Sequence, residues 1–405
     1  MSRSVKPNWR MVKFGEMADN INVRVDPAEA GCDIYVGLEH LDPESLHLRQ
    51  WGQPSDVTGD KLRFKKGDII FARRRAYQRK LAVAEFDGIC SAHAMVVRAK
   101  TKVVLPEFLP FFMQSDMFME RAIEISVGSL SPTINWKTMA VQEFPLPPIE
   151  EQHRIAEILW AADEVHHRFG DALRESQSAK GVLITRLTTQ GLRSGEVQKT
   201  RLGEIASHWR VLTVEQVVSV CQYGLSIQLH EEGQYPIFRM MNYDDGKIVA
   251  NDMKYVDLST GDFDSFRVLD GDILFNRTNS ADLVGKVGIF HLDGDFVFAS
   301  YLVRLRAREG VVLPDYLNFY LNSDLGQRRI LAYATPGVSQ TNISAGNLKK
   351  VLVPVPPIEE QEEIVQVLCS VDSSKNEVGD QLHRARCVQR ELVNQLINPV
   401  LTWEA

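Results

Sequence analysis

The chain has 405 residues, 44% hydrophobic and 24% charged, the composition of a globular protein with room for two or three cores. No stretch reaches the roughly 18 uninterrupted apolar residues of a membrane span, the first ten residues carry no apolar signal segment, and five scattered cysteines without a CxxC pair argue against a disulfide framework or structural zinc and fit a reducing cytoplasm. A net charge of −7 excludes bulk electrostatic attraction to nucleic acid but not a local basic patch.

In chain order, the first half opens on Trp9-Arg10. Strand-like runs follow at Asp68 to Ala72 (DIIFA) and Ala94 to Ala99 (AMVVRA), rich in β-branched and aromatic residues. The first of these lies inside the strongest charge feature, Arg63 to Lys80, with eight basic residues against one acid. Leu105 to Asp116 (LPEFLPFFMQSD) reads as the start of a helix, because proline is tolerated at the first helical position and an acid suits the positive end of the dipole. A small polar loop, Gly128 to Asn135, precedes FPLPPIEEQ (Phe144 to Gln152). Pro145, Pro147 and Pro148 read as an extended linker, and Glu150 and Glu151 as the first turn of a helix of about 40 residues.

The second half repeats these motifs in the same order. Trp209-Arg210 answers Trp9-Arg10, and DGDILFNR (Asp270 to Arg277) answers KGDIIFAR (Lys66 to Arg73). LPDYLNFYLNSD (Leu313 to Asp324) and VPVPPIEEQ (Val353 to Gln361) follow, with YLVRLRA (Tyr301 to Ala307) as a further strand. About half the chain is therefore duplicated, a period too long for a solenoid, which implies two similar domains related by a pseudo-twofold axis. The expected boundaries are 1–147 and 193–356 for the globular parts, and 148–192 and 357–405 for the long helices.

The two helices share a heptad register. Ile155, Ala162, Phe169, Ser176 and Leu183 match Ile364, Val371, Val378, Ala385 and Leu392. Leu159, His166, Leu173, Lys180 and Leu187 match Leu368, Lys375, Leu382, Gln389 and Leu396, with leucine alternating with a polar residue in both. This reads as an antiparallel coiled-coil pair of about 60 Å; the plainer alternative is two surface helices, each packed on its own domain. His166-His167 reads as one seam and one surface residue, and Asp163, Asp171, Asp372 and Asp380 as surface or partner-facing acids.

No P-loop, no GxGxxG after a strand, no GxSxG and no HExxH occurs, and the Asn398-Pro399-Val400 run lacks the aromatic residue of an amino-methyltransferase motif. The chemistry present is that of binding. Arg73, Arg74, Arg75, Tyr77, Gln78, Arg79 and Lys80 form a loop suited to phosphates, guanine and adenine edges. The cognate loop, Asn276, Arg277, Thr278, Asn279 and Ser280 with Lys286 beyond, is less basic but rich in hydrogen-bonding groups. Ser129 and Ser131 match Ser339, Gln340 and Asn342 in a second pair of polar loops, which equally resemble ordinary turns. Cys221 to Ser226 and Arg239 to Asn242 are weaker candidates.

This duplicated order of GDIIFAR and GDILFNR, the two Leu-Pro helices and the two Pro-Pro-Ile-Glu-Glu-Gln turns resembles the specificity subunit of type I restriction–modification systems. The resemblance covers essentially the whole chain. It implies an α/β (α+β-like) fold with two tandem target-recognition domains, each reading half of a bipartite, asymmetric double-stranded DNA site, joined by two long antiparallel coiled-coil helices. It implies that the helices set half-site spacing and dock two modification (methyltransferase) subunits, with restriction (translocase–nuclease) subunits joining. S-adenosylmethionine, ATP and Mg would belong to those partners and no cofactor or metal to this chain, which would have no catalytic residues, no membrane association and a bacterial or archaeal cytoplasmic setting. A recognition subunit of a related methylase lacking a nuclease and a coiled-coil protein-binding adaptor are the competing readings. A methyltransferase fused to its own recognition domain would need motifs not found in the sequence.

Overall fold

Each half of the chain begins and ends on the same two-stranded antiparallel ribbon. Arg10–Lys13 pairs with Glu143–Leu146, and Arg210–Thr213 pairs with Leu352–Val355. The segments expected as proline linkers are thus partly strand. Pro145 and Pro354 fit because each strand of a two-stranded ribbon is paired on one side only, so a residue without an N–H can face the open edge.

The computed structural model describes residues 8–193, 195–280, 282–337 and 340–398. They fall into two compact units, Met1–Ala172 with Val378–Ala405, and Leu173–Glu377. In the first unit the central antiparallel sheet runs in the order Ala18–Asn20, Met95–Ala99, Ile69–Phe71, Leu81–Val83. In the second the order is Val218–Tyr223, Leu302–Ala307, Ile273–Asn276, Val287–Ile289, extended by Lys247–Ile248 and Tyr243–Asp244. A second sheet accompanies each, and a pair of short helices packs nearby: Leu109–Gln114 with Asp116–Glu124, and Pro314–Asn322 with Asp324–Leu331. The fold is therefore of mixed α/β character, with the same strand order in both units. The second helix pair starts at Pro314, as expected from the motif. The first starts later, at Leu109, because Pro110 lacks an N–H and its ring would clash with the carbonyl four residues earlier in a helix begun at Pro106.

The duplicated motifs are buried polar fastenings. In each Gly-Asp-Ile sequence the glycine takes a positive φ (89° at Gly67, 78° at Gly271), and the following aspartate turns inward. Asp68 accepts two bonds from Arg98 (2.7 and 2.8 Å) and one from the Lys65 amide. Asp272 does the same with Arg306 (2.7 and 2.7 Å) and the Leu269 amide. The glutamine of each Pro-Pro-Ile-Glu-Glu-Gln turn is also buried. Gln152 accepts from the Leu105 amide and donates to the Val103 and Pro147 carbonyls; Gln361 accepts from Leu313 and donates to Val311 and Pro356. Trp9 donates to Glu151 and Trp209 to Glu360, closing the same corner.

The long helices are Ile149–Gln190 and Ile358–Ile397, and each contributes one segment to each unit. In the first unit Ile155 and Leu159 share a core with Val393 and Ile397, while Gln389 donates to Asp163 and Arg386 to His166. In the second unit Ile184 and Leu187 share a core with Ile364 and Leu368, and Lys180 pairs with Asp372 at 2.5 Å. Rising numbers on one helix meet falling numbers on the other, so the segments pair antiparallel within each unit. One expectation needs correcting: Asp163 and Asp372 are not surface acids but buried, at 1% and 7% exposure. Each lies where the partner helix supplies a donor, Gln389 for one and Lys180 for the other.

Each head also grips its coiled coil through charge. In the first unit His47 faces Asp163 (2.8 Å) and Glu85 (2.6 Å), Arg49 reaches Asp171, and Arg386 reaches Glu44. In the second, Asp245 receives both Lys180 and Lys375. Burial works against the Asp245 charge, but the hydrogen bonds from the two lysines hold its carboxyl below the usual range.

Replacing Gln152 by alanine leaves one amide and two carbonyls without their partner. The variant should destabilise the first unit by about 2–3 kcal/mol while leaving the second unchanged, as read by hydrogen exchange. The hydrogen bond to Asp163 holds His47 protonated above its ordinary value of 6.5, more than burial opposes it, with Glu85 adding to the effect. The raised folded value means that this grip is fully present below about pH 6.5 and is lost as the pH rises through the folded value. The stability advantage of the native chain over His47→Gln should therefore be larger at about pH 6 than at about pH 8.5 in denaturant titrations.

Candidate nucleic-acid interface

The basic loop joins the neighbouring strands Ile69–Phe71 and Leu81–Val83, and its neck is closed by the Ala72 amide donating to the Lys80 carbonyl. At its tip Ala76–Gln78 forms one 3₁₀ turn flanked by two residues in the left-handed region, Arg75 (φ 59°) and Arg79 (φ 55°). Such a conformation costs a non-glycine residue on the order of 1 kcal/mol and persists only where the surroundings hold it. Here the Arg75 amide donates to the Pro132 carbonyl (2.7 Å), Ala76 is buried, and the Arg79 guanidinium is tied to the Gln114 carbonyl and to Asp116.

The second polar loop lies against the first. The Ile134 amide donates to the Arg73 carbonyl, and the Ser131 hydroxyl accepts from Nε of both Arg74 (2.9 Å) and Arg75 (3.2 Å). The two candidate segments of the first head thus form one surface. Arg75, Tyr77, Gln78 and Ser129 are exposed, and Arg73, Arg74, Arg79, Lys80 and Ser131 half-buried. Arg74, Arg75, Gln78 and Lys80 line an open cleft of 400 Å³ with Leu38, Glu39, Ser91 and His93. Burial, and then the nearby Arg74, Arg73 and Lys61, push the His93 imidazole below its usual value. Arg79 has a different assignment from that expected: its guanidinium is engaged by Gln114 and Asp116, which makes it a brace for the loop.

The second head builds the same junction from other residues. The Ile343 amide donates to the Arg277 carbonyl, as Ile134 does to Arg73. Thr278–Asn279 pairs with Thr341–Asn342, which pairs in turn with Thr335–Pro336. Arg277 donates to Asn342 (3.0 Å) and lies 4.8 Å over the Tyr223 ring, whose hydroxyl accepts from the Ala345 amide. Thr278 and Asn279 are half-buried and Gln340 is exposed; Ser339 lies outside the described residues. Two expectations change. Asn276 is fully buried and donates to the Met240 carbonyl, so it supports the loop from within. Lys286 lines a separate cleft with Asp245 and His291.

Sequence reading missed His93 and Ser91 because nothing local marks them; the fold brings them to the basic loop. Tyr223 belongs to the Cys221 to Ser226 segment. Its role follows from strand length, since Val218–Tyr223 continues where its counterpart Ala18–Asn20 has ended. Among the described residues, no group of three or more His, Cys, Asp and Glu residues is placed to hold a metal ion, and no helix is long and apolar enough to cross a membrane.

Residues 50–168 and 207–383 match the family described as the type I restriction modification DNA specificity domain. The chain belongs to this family. The matched family is that of the DNA specificity component of type I restriction–modification. It is similar to the putative type I restriction enzyme MjaX specificity subunit of Methanocaldococcus jannaschii, 30% identical over 49% of this chain and 48% of that one. The chain thus matches about half the length of that relative. It is also similar to the type I restriction enzyme EcoKI specificity subunit of Escherichia coli, 24% identical over 87% of this chain and 79% of that one. Among solved structures, a chain from a study of complex assembly and conformational transition of the type I R-M system covers 98% of this chain and 99% of its own, with a TM-score of 0.60 and 19% identity. The S subunit of a type I restriction–modification system from M. genitalium gives a TM-score of 0.55 at 14% identity, with 98% and 99% covered. At these identities the structures establish the shared fold.

Replacing Arg74 by glutamine removes one of the charges that depress His93. The His93 pKa should rise in the variant, as followed by NMR of ring-labelled histidine; an unchanged value would show that Arg74 does not act on it.

Proposed function

We propose that this chain recognises a bipartite, asymmetric double-stranded DNA site for a type I restriction–modification complex, each head reading one half. The observation that carries this is the loop junction. Both heads join the same two loops through the same backbone bond, Ile134 to Arg73 and Ile343 to Arg277, yet furnish them with different side chains. One scaffold with two surfaces is what an asymmetric target requires. Arg74, Arg75, Gln78 and Lys80 offer charge and base-edge donors in the first head. Arg277, Asn279, Gln340 and Asn342 offer a mainly neutral hydrogen-bonding surface in the second.

The length of the paired helices sets the interval between half-sites. Their exposed apolar residues, Ile158, Val165, Val182 and Val388, are docking points for two modification (methyltransferase) subunits, with restriction (translocase–nuclease) subunits completing the complex. S-adenosylmethionine, ATP and Mg are held by those partners, in the cytoplasm of a bacterium or archaeon. With a net charge of −7 the isolated chain binds DNA weakly, because the electrostatic part of affinity scales with the phosphates neutralised. Partners that bring their own basic surface raise it.

The test is a genome-wide map of methylated sites in cells carrying the whole system. Arg74→Glu with Arg75→Glu should lower DNA affinity of the assembled complex by about 100-fold or more and abolish methylation, each lost contact being worth on the order of tenfold. Exchanging the first head for that of a relative should change one half-site only. Methylation that survives the double substitution, or an exchange that alters both half-sites, would refute the two-headed reading.

A further inference from the structure

Leu130 has the most exposed large apolar side chain among the described residues, at 92%, and Val127, at 78%, comes next. Both belong to one short hairpin. Val127 and Thr133 exchange both backbone hydrogen bonds (3.1 and 2.9 Å), and Gly128 reverses the chain at φ 120°. The hairpin is fixed to the basic loop on one side. Thr133 bridges to the Arg74 backbone, Pro132 accepts from the Arg75 amide, and Ser131 accepts from both guanidinium groups. An uncovered leucine therefore stands one residue from the hydroxyl that aligns two arginines.

Phosphate binding gains nothing from that leucine. A base-reading ribbon does, because thymine presents a C5-methyl group in the major groove, and that groove, about 12 Å wide, admits a two-stranded ribbon. We infer that Leu130 is a specificity-determining residue that packs against a thymine methyl in the half-site read by the first head, while Arg74 and Arg75 hold the flanking phosphates. The assignment rests on the DNA-reading function proposed above. It belongs to the first head alone: in the sequence of the second copy the matching position is Ser339, which has no apolar surface to offer a methyl group. The exposure of Leu130 is then the unsatisfied half of a contact that DNA completes.

The experiment uses the complex assembled with its modification subunits and a duplex carrying the mapped site. Each thymine of the first head's half-site is replaced in turn by deoxyuridine, which deletes only the methyl group. One position should weaken binding by about three- to tenfold, in line with the burial of one methyl or slightly more. Leu130→Ala should show a comparable loss on the thymine duplex, no further loss on the deoxyuridine duplex, and unchanged assembly with the modification subunits. A scan with no sensitive thymine overturns the inference. So does a position equally sensitive in Leu130→Ala, or a variant that loses its partner subunits instead of DNA, which would make the leucine a protein contact. The double charge reversal at Arg74 and Arg75 separates the two levels. If it leaves DNA binding intact, the recognition surface itself is misassigned. If it abolishes binding while the deoxyuridine scan is silent, only the role of Leu130 falls.

Discussion

A buried carboxamide fastens each long helix to the head that precedes it. The start of each long helix and the segment leading into the neighbouring helix pair leave backbone groups in need of partners, and here they meet in a buried corner. Gln152 and Gln361 each satisfy one amide and two carbonyls in that corner. A glutamate could not donate to the carbonyls, and a lysine could not accept from the amide. The prolines before each glutamine contribute carbonyls but no amide of their own, which keeps the corner balanced. Together with the Trp9–Glu151 and Trp209–Glu360 bonds, this side chain ties the head to the start of its long helix.

The coiled coil then carries more polar side chains than stability alone would select. Asp163, His166, Lys180, Asp372, Lys375 and Gln389 are all buried, and bonds within a unit satisfy them. An apolar seam tolerates sliding by a heptad, whereas a buried donor and acceptor match in only one alignment. The same residues serve the heads. Asp163 receives His47, and Lys180 and Lys375 converge on Asp245. Helix register and head attachment are therefore set by one group of side chains, which suits a subunit whose reading surfaces must keep a fixed relation to its helices.

At the reading surfaces the division is between frame and contents. The frame is backbone: Ile134 to Arg73 in one head and Ile343 to Arg277 in the other, each joining a loop after a central strand to the loop before the closing ribbon. The contents differ in charge and shape. The bond at the centre of the frame joins backbone to backbone and so survives divergence, while the side-chain braces differ between heads, Arg79 on Asp116 in one and Arg277 on Asn342 in the other. In the proposed reading a net negative protein can still recognise DNA, since Arg74, Arg75 and Lys80 line one cleft whatever the charge of the whole.

The duplication, the two helices and their shared heptads were legible because they depend on local pattern and on order along the chain. So was the basic loop, since eight basic residues in one short segment need no partner to be noticed. The fold decided what depends on residues far apart. It showed that the proline segments form ribbon strands, because their pairing partners lie more than a hundred residues away. It buried Asp163 and Asp372, which look like surface acids until an opposing helix supplies a donor. It moved Asn276 into the interior and Arg79 onto Asp116, and it brought Ser131, His93 and Tyr223 to loops that no spacing connects them with. Periodicity and composition report which face of an element is apolar. Which polar groups share that face with a neighbour is settled only when the chain has folded and each buried charge has found its partner.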